Sequence, residues 1–246
     1  MPASAPIVAV LPAREAPWAA GLRGARANLL PGLALQAFAL AVVLAYFWHA
    51  PTHAALDRLS LWRGDVGVTF AILSTGFFGG LLPVLFLKAT SARYTWTQGA
   101  WITAFWAYKG FEIDLWYRVL ARLVGEGNSP GIVVTKMVLD QFVYCPLFAI
   151  PVTTLIYAYA ETHFNARAVL ADIRAPGWYL RRVLPLLIAN LGIGVPAVCI
   201  IYALPTPLQL PLQNIVLCFF TLLLAHLTKQ SPKNHAQNSL VKQDCA

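Results

Sequence analysis

Long apolar runs separated by short polar ones set the pattern of this chain. They extend from about Leu30 to His49, Val66 to Leu87, Ile132 to Ala160, Val183 to Ala203 and Leu208 to Leu227. Each reaches about 20 residues, the length an α-helix needs to cross a hydrocarbon core about 30 Å thick. A segment of mixed character, Trp96 to Leu123, lies between the second and third runs. Its first half, Ala100 to Tyr108, is apolar and aromatic, whereas its second half carries Lys109, Glu112, Asp114, Arg118 and Arg122. Read as a span whose later end reaches the interface, where Trp116 and Tyr117 anchor, it brings the number to six. Read as a surface segment, it leaves five. The pattern predicts an all-α fold, a polytopic membrane helical bundle of about six transmembrane helices.

The polar stretches divide the rest. Residues 1–28, rich in Ala and Pro with Arg14, Arg23 and Arg26, read as a flexible tail, residues 29–228 as a single transmembrane bundle, and residues 229–246 as a disordered polar tail. A mixed loop with His53, Asp57, Arg58, Arg63 and Asp65 joins the first two spans. Gly125 to Pro130 reads as a turn, Glu161 to Arg182 leaves the membrane with Trp178 and Tyr179 at the interface, and Leu204 to Pro207 forms a proline-rich turn. Six spans with the N-terminus inside put Arg14, Arg23, Arg26, Lys88, Arg93, Arg167, Arg174, Arg181, Arg182, Lys229, Lys233 and Lys242 on the inner side. Only Arg58, Arg63, Arg118 and Arg122 fall outside. That asymmetry predicts both termini on the cytoplasmic side.

Polar residues inside an apolar span are costly and need a reason. Lys136, Asp140 and Tyr144 repeat every four positions along one helical stripe, with Gln141 beside them, so Lys136 is expected to pair with Asp140. On the preceding segment Lys109 and Glu112 share a face with Trp116 and Leu120, while Asp114 pairs with Arg118 on roughly the opposite face. Lys109, Glu112, Asp114, Lys136, Asp140 and Gln141 therefore stand as one candidate set. Two readings are open: a hydrated path whose charged walls select solutes, or a lock that fixes the register of the bundle. In the second span Gly76 and Gly80, four apart, predict a close helix contact, and Pro83 predicts a kink. Pro146 and Pro151 predict a bend in the span that holds Asp140.

Composition agrees with a membrane chain: 246 residues, 59% hydrophobic and 11% charged, with a mean hydropathy of +0.63. The net charge of +8 is spread between apolar runs and forms no patch, so no nucleic-acid partner is expected. Cys145, Cys199, Cys218 and Cys245 show no metal or redox spacing and read as small buried hydrophobes. His49, His53, His163, His226 and His235 are scattered. No phosphate-binding loop, nucleophile elbow or metal-binding His pair is present, so no enzyme activity, cofactor or metal site is expected. The expected partners are the lipid bilayer and small solutes, with a homo-oligomer left open. The short apolar stretch Ile7 to Leu11 precedes the arginines and does not read as a signal peptide, while the acid-poor start leaves a transit peptide as an alternative. A bacterial inner membrane is favoured and an organelle membrane is the alternative.

One stretch carries a family resemblance. Trp116-Tyr117 with Leu120 and Arg122, followed after a short polar loop by Lys136-Met137, Asp140-Gln141 and Pro146, resembles the core signature of the twenty-two-kilodalton peroxisomal membrane protein family, also called the Mpv-seventeen or Sym-one family. The resemblance extends more weakly from about Phe70 to Leu227, where Pro185, Asn190, Val195-Pro196 and Gln209 to Asn214 are similar to its C-terminal pattern. The family's Trp-Pro and Trp-Asn pairs are missing, and Gly110-Phe111 and Asp114 stand where a Gly-Pro pair and a His are usual. The resemblance implies a small polytopic protein of organelle or bacterial membranes, with a channel-like or permeability-modulating function for small solutes; a non-transporting membrane scaffold or assembly partner is the alternative.

Overall fold

Turn-forming residues cut the apolar runs into helices. The computed structural model describes residues 16–27, 29–90 and 95–218, and among them the chain is helical apart from short turns, with no strand. The helices are α1 (Pro17–Ala27), α2 (Leu29–Trp48), α3 (Ala50–Val66), α4 (68–90), α5 (Trp96–Val124), α6 (Pro130–Glu161), α7 (Ala166–Arg174), α8 (Tyr179–Tyr202) and α9 (206–218). Gly67, at φ 64°, separates α3 from α4 with a left-handed backbone that a side chain would strain. A capping box opens α5: the Gln98 amide donates to Thr95 Oγ1 at 3.2 Å and the Thr95 amide to Gln98 Oε1 at 2.8 Å. Pro130 in the first turn opens α6.

Among the described residues, four helices are long and apolar enough to cross a membrane: Leu29–Trp48, Val68–Phe86, Pro130–Glu161 and Tyr179–Tyr202. Six were expected from the sequence. The fifth candidate, α5, is one unbroken helix of 29 residues, about 44 Å long at about 1.5 Å per residue, but its five charges keep it from qualifying on composition. The sixth, Leu208 to Leu227, lies partly outside the described residues, and the expected C-terminal tail, residues 229–246, wholly outside them. Large apolar side chains cover the outer faces. Leu30 and Leu147 are 79% and 74% exposed, and Leu33, Phe38, Leu73, Phe142 and Phe148 also point outward. An apolar exterior of this extent suits contact with lipid rather than water.

Two expectations fail here. The 1–28 segment is not a tail throughout, because α1 packs along the first half of α8. A Cβ on Gly21 would lie 2.9 Å from the Pro185 carbonyl, and Gly192 meets Ala25, so small residues spaced along both helices let the backbones touch. Arg14 lies outside the described residues. The mixed loop of residues 50–65 is instead helix α3, started by a proline in its first turn and ended at Gly67. It presents Leu56 and Leu59 to the core and Trp62 outward.

The α4–α5 pair is antiparallel and close, with glycine at four of its approaches. A Cβ on Gly110 would overlap the Ala71 carbonyl, on Gly76 would meet the Ala107 Cβ at 3.0 Å, on Gly80 the Thr103 Cα at 2.7 Å, and on Gly99 the Val84 side chain at 2.6 Å. Gly76 and Gly80 lie at close approaches of α4 to α5, and α5 contributes Gly99 and Gly110.

Among the described residues, three segments wind as π-helix: Gly76–Leu81, Asp140–Ala149 and Tyr179–Val183. Each contains the residue four before a proline, namely Gly79 before Pro83, Phe142 before Pro146 and Arg181 before Pro185. A proline ring collides with that carbonyl in α geometry and donates no hydrogen bond to it, so widening the turn relieves the collision. Pro196 lies in regular α-helix and departs from this pattern. The Tyr179 hydroxyl donates to the Pro146 carbonyl at 2.9 Å, joining two of these segments.

Gly110→Ala should destabilise the protein by about 2–3 kcal/mol, because the methyl overlaps backbone that cannot move aside. Gly64→Ala, with nothing within 4 Å of the new Cβ, should be neutral or gain up to about 1 kcal/mol of helix propensity. Thermal unfolding of both variants in detergent checks the contrast.

Candidate functional site

Helix α5 carries charges on two faces near its middle, and its neighbours satisfy them. On the first face Lys109 pairs with Glu112 one turn later, and the Tyr144 hydroxyl of α6 donates to the same carboxylate. Lys109 Nζ also lies 3.2 Å from the Tyr144 oxygen. Tyr144 stacks on Trp116, with ring centroids 4.7 Å apart and 16° between planes. The Trp116 indole Nε1 then donates to Asp140 Oδ1 at 3.0 Å. The other carboxylate oxygen accepts from Gln141 Nε2 at 3.1 Å, and Asn190 Nδ2 of α8 donates to Gln141 Oε1 at 3.4 Å. Gly194 makes room for this amide, since a Cβ there would fall 2.6 Å from Gln141 Oε1.

A cavity of about 400 Å³ opens among these groups. Lys109, Asp140, Gln141, Tyr144 and Asn190 form its polar side, and Trp106, Trp116, Ile113, Ile193 and Val198 form much of its apolar wall. Lys109 and Asn190 sit roughly midway along α5 and α8. Cys145 lies against Gln141 and Asn190 and is buried, as is Cys218, whereas Cys199 is half-buried. Cys245 is outside the described residues.

The opposite face of α5 holds a separate cluster. Asp114, 3% exposed at its side chain, is gripped by the buried Arg63 of α3 and accepts from Arg118 Nε at 2.9 Å. Arg63 also donates to the Thr206 carbonyl at 3.4 Å, tying α3 and the start of α9 to this end of the bundle. The Asp114–Arg118 pair and the Lys109–Glu112 face follow the sequence pattern. The candidate set is nonetheless not one group: Asp114 belongs to this second cluster, away from the cavity.

The expected Lys136–Asp140 pair does not form. Both side chains are buried, at 1% and 6% exposure, yet Asp140 is held by the neutral donors Trp116 and Gln141. The acid-first order, as in Asp114 and Arg118, is the somewhat better one for a pair four apart, and here Trp116 and Gln141 supply the donors that Asp140 uses. Trp116 and Tyr117 also depart from expectation. Instead of anchoring at an interface, Tyr117 is buried at 4% exposure beside Tyr202, and Trp116 serves as a donor to Asp140.

Arg63 was the functional partner least visible in the sequence, because the surrounding stretch is too polar to read as packed helix. Among the described residues, buried atoms without a hydrogen-bond partner include Arg63 Nε, Glu112 Oε2 and the Tyr202 hydroxyl. Two of these flank the cavity network.

Asp114→Asn should cost about 3–5 kcal/mol, since it leaves the buried Arg63 guanidinium without its counter-charge, while Arg118→Ala, at a side chain 53% exposed, should cost under about 1 kcal/mol. A double-mutant cycle of Lys136→Met with Asp140→Asn should give a coupling below about 0.5 kcal/mol, and Trp116→Phe with Asp140→Asn a larger one. Chemical unfolding in mixed micelles measures all of these.

Comparison of the chain with models of protein families, with characterised proteins and with solved structures finds no match.

Proposed function

We propose that this chain is an integral membrane protein with a channel-like or permeability-modulating role for small solutes, and that its path runs through the cavity between α5, α6 and α8. The observation that carries the reading is a cavity of about 400 Å³ bordered by Lys109, Asp140, Gln141 and Asn190 between helices of spanning length. Charged and amide groups at that depth are costly in lipid, and a water-filled path is one of the few settings that reward them. The size falls within the range of about 300–1,000 Å³ common for small-ligand sites. The resemblance to the twenty-two-kilodalton peroxisomal membrane protein family supports the same reading, because Trp116, Asp140 and Gln141 of its signature meet at one wall of this cavity. We propose membership in that family, six spans counting α5 and the segment beyond residue 208, and a bacterial inner membrane as the location.

A second reading, a non-transporting membrane scaffold, rests on the same bonds. Glu112 with Lys109 and Tyr144, and Asp140 with Trp116 and Gln141, are closed on one another as a lock would be. Flux of ions and small metabolites through the purified protein in liposomes separates the two. The path reading expects flux above empty vesicles in wild type and altered charge preference in Asp140→Asn at matched amounts of folded protein. No flux in either would leave the scaffold reading.

A further inference from the structure

Charge and aromatic surface around the cavity narrow the class of solute. Two charged side chains, Lys109 and Asp140, line the cavity, and Glu112 pairs with the first. Lys109 is in contact with Glu112, so its charge is matched at close range. Asp140 is different: its two oxygens accept from an indole and an amide, which satisfy hydrogen bonds without cancelling charge. Lys109 also acts on Asp140 at longer range, but with all three groups ionised one cation faces two carboxylates, a surplus of one negative charge. Lys136 does not line the cavity.

The walls complete the picture. Trp106 and Trp116 line the cavity with Tyr144 and Tyr117, and aromatic faces attract cations through their negative π-surface. Hard metal ions favour several carboxylate oxygens; the lining has one carboxylate, Asp140, and otherwise the neutral amides of Gln141, Asn190 and Gln213 and the hydroxyls of Tyr144 and Thr153. Anions meet the Asp140 charge. A cation with apolar substituents matches both the single carboxylate and the aromatic wall.

We propose that the cavity binds a small organic ammonium ion, its charge held against Asp140 and its substituents against Trp106 and Trp116. This names the solute class for the path proposed above, and rests on that reading for transport though not for binding. Choline and its neutral carbon isostere, 3,3-dimethylbutan-1-ol, are the probes, titrated against purified wild-type protein in micelles by calorimetry and tryptophan fluorescence. The expected result is saturable choline binding at least about tenfold tighter than the isostere, with the advantage reduced in Asp140→Asn and choline binding weakened in Trp106→Leu, both checked for folding by thermal midpoint. Equal affinity for the two probes, or no saturable choline binding to wild type, overturns the inference whatever the variants do. Choline binding without flux in liposomes would sustain the site and remove the path, and flux of solutes without choline binding would do the reverse.

Discussion

A charge inside an apolar bundle must meet a partner, and α5 places three of them near its middle. The positions of its neighbours follow from that need. Helix α3 sits where Arg63 can reach Asp114. Helix α6 sits where Tyr144 can reach Glu112 and Asp140 can reach Trp116. With water excluded, each of these bonds is worth more than at a surface, and each broken partner costs correspondingly more. The bundle is thus specified by a small number of polar contacts set in a much larger apolar surface that discriminates poorly between arrangements.

Close approach of backbones makes those contacts geometrically possible. Lipid is as apolar as a leucine side chain, so helices in a bilayer gain little from burying leucine against leucine and more from bringing backbones together. The glycines along α4 and α5 and those between α1 and α8 supply this. The proline-linked π segments add a second adjustment. They widen the helix where a ring would collide, and in α6 the widened stretch is the one that carries Asp140, Gln141 and Tyr144.

Much of this was legible in the residues. Apolar length marked the spanning helices, the spacing of Gly76 and Gly80 marked a contact face, and the Asp114–Arg118 spacing gave a pair that forms. Lys136 and Asp140 share the same spacing but not the same order, and spacing alone does not carry direction. The α3 helix was hidden because a single buried arginine among polar residues looks like a loop until its partner, 51 residues away, is known. Trp116 has an apolar body and one donor, which suits an interface and a buried carboxylate equally well. Sequence gave the type of contact such a residue makes, and only the fold decided which one.

The contact of α1 and α2 with α8 bears on the order of assembly. Gln36 Nε2 donates to the Ile193 carbonyl across 157 residues at 3.1 Å, and Gly32 rests on the same isoleucine. A chain is made from its N-terminal side onward, so the face of α1 and α2 that meets α8 is synthesised well before its partner helix exists. Until α8 follows, that face has to be covered by lipid, by a chaperone or by a wrong neighbour, which opens it to capture or misassembly.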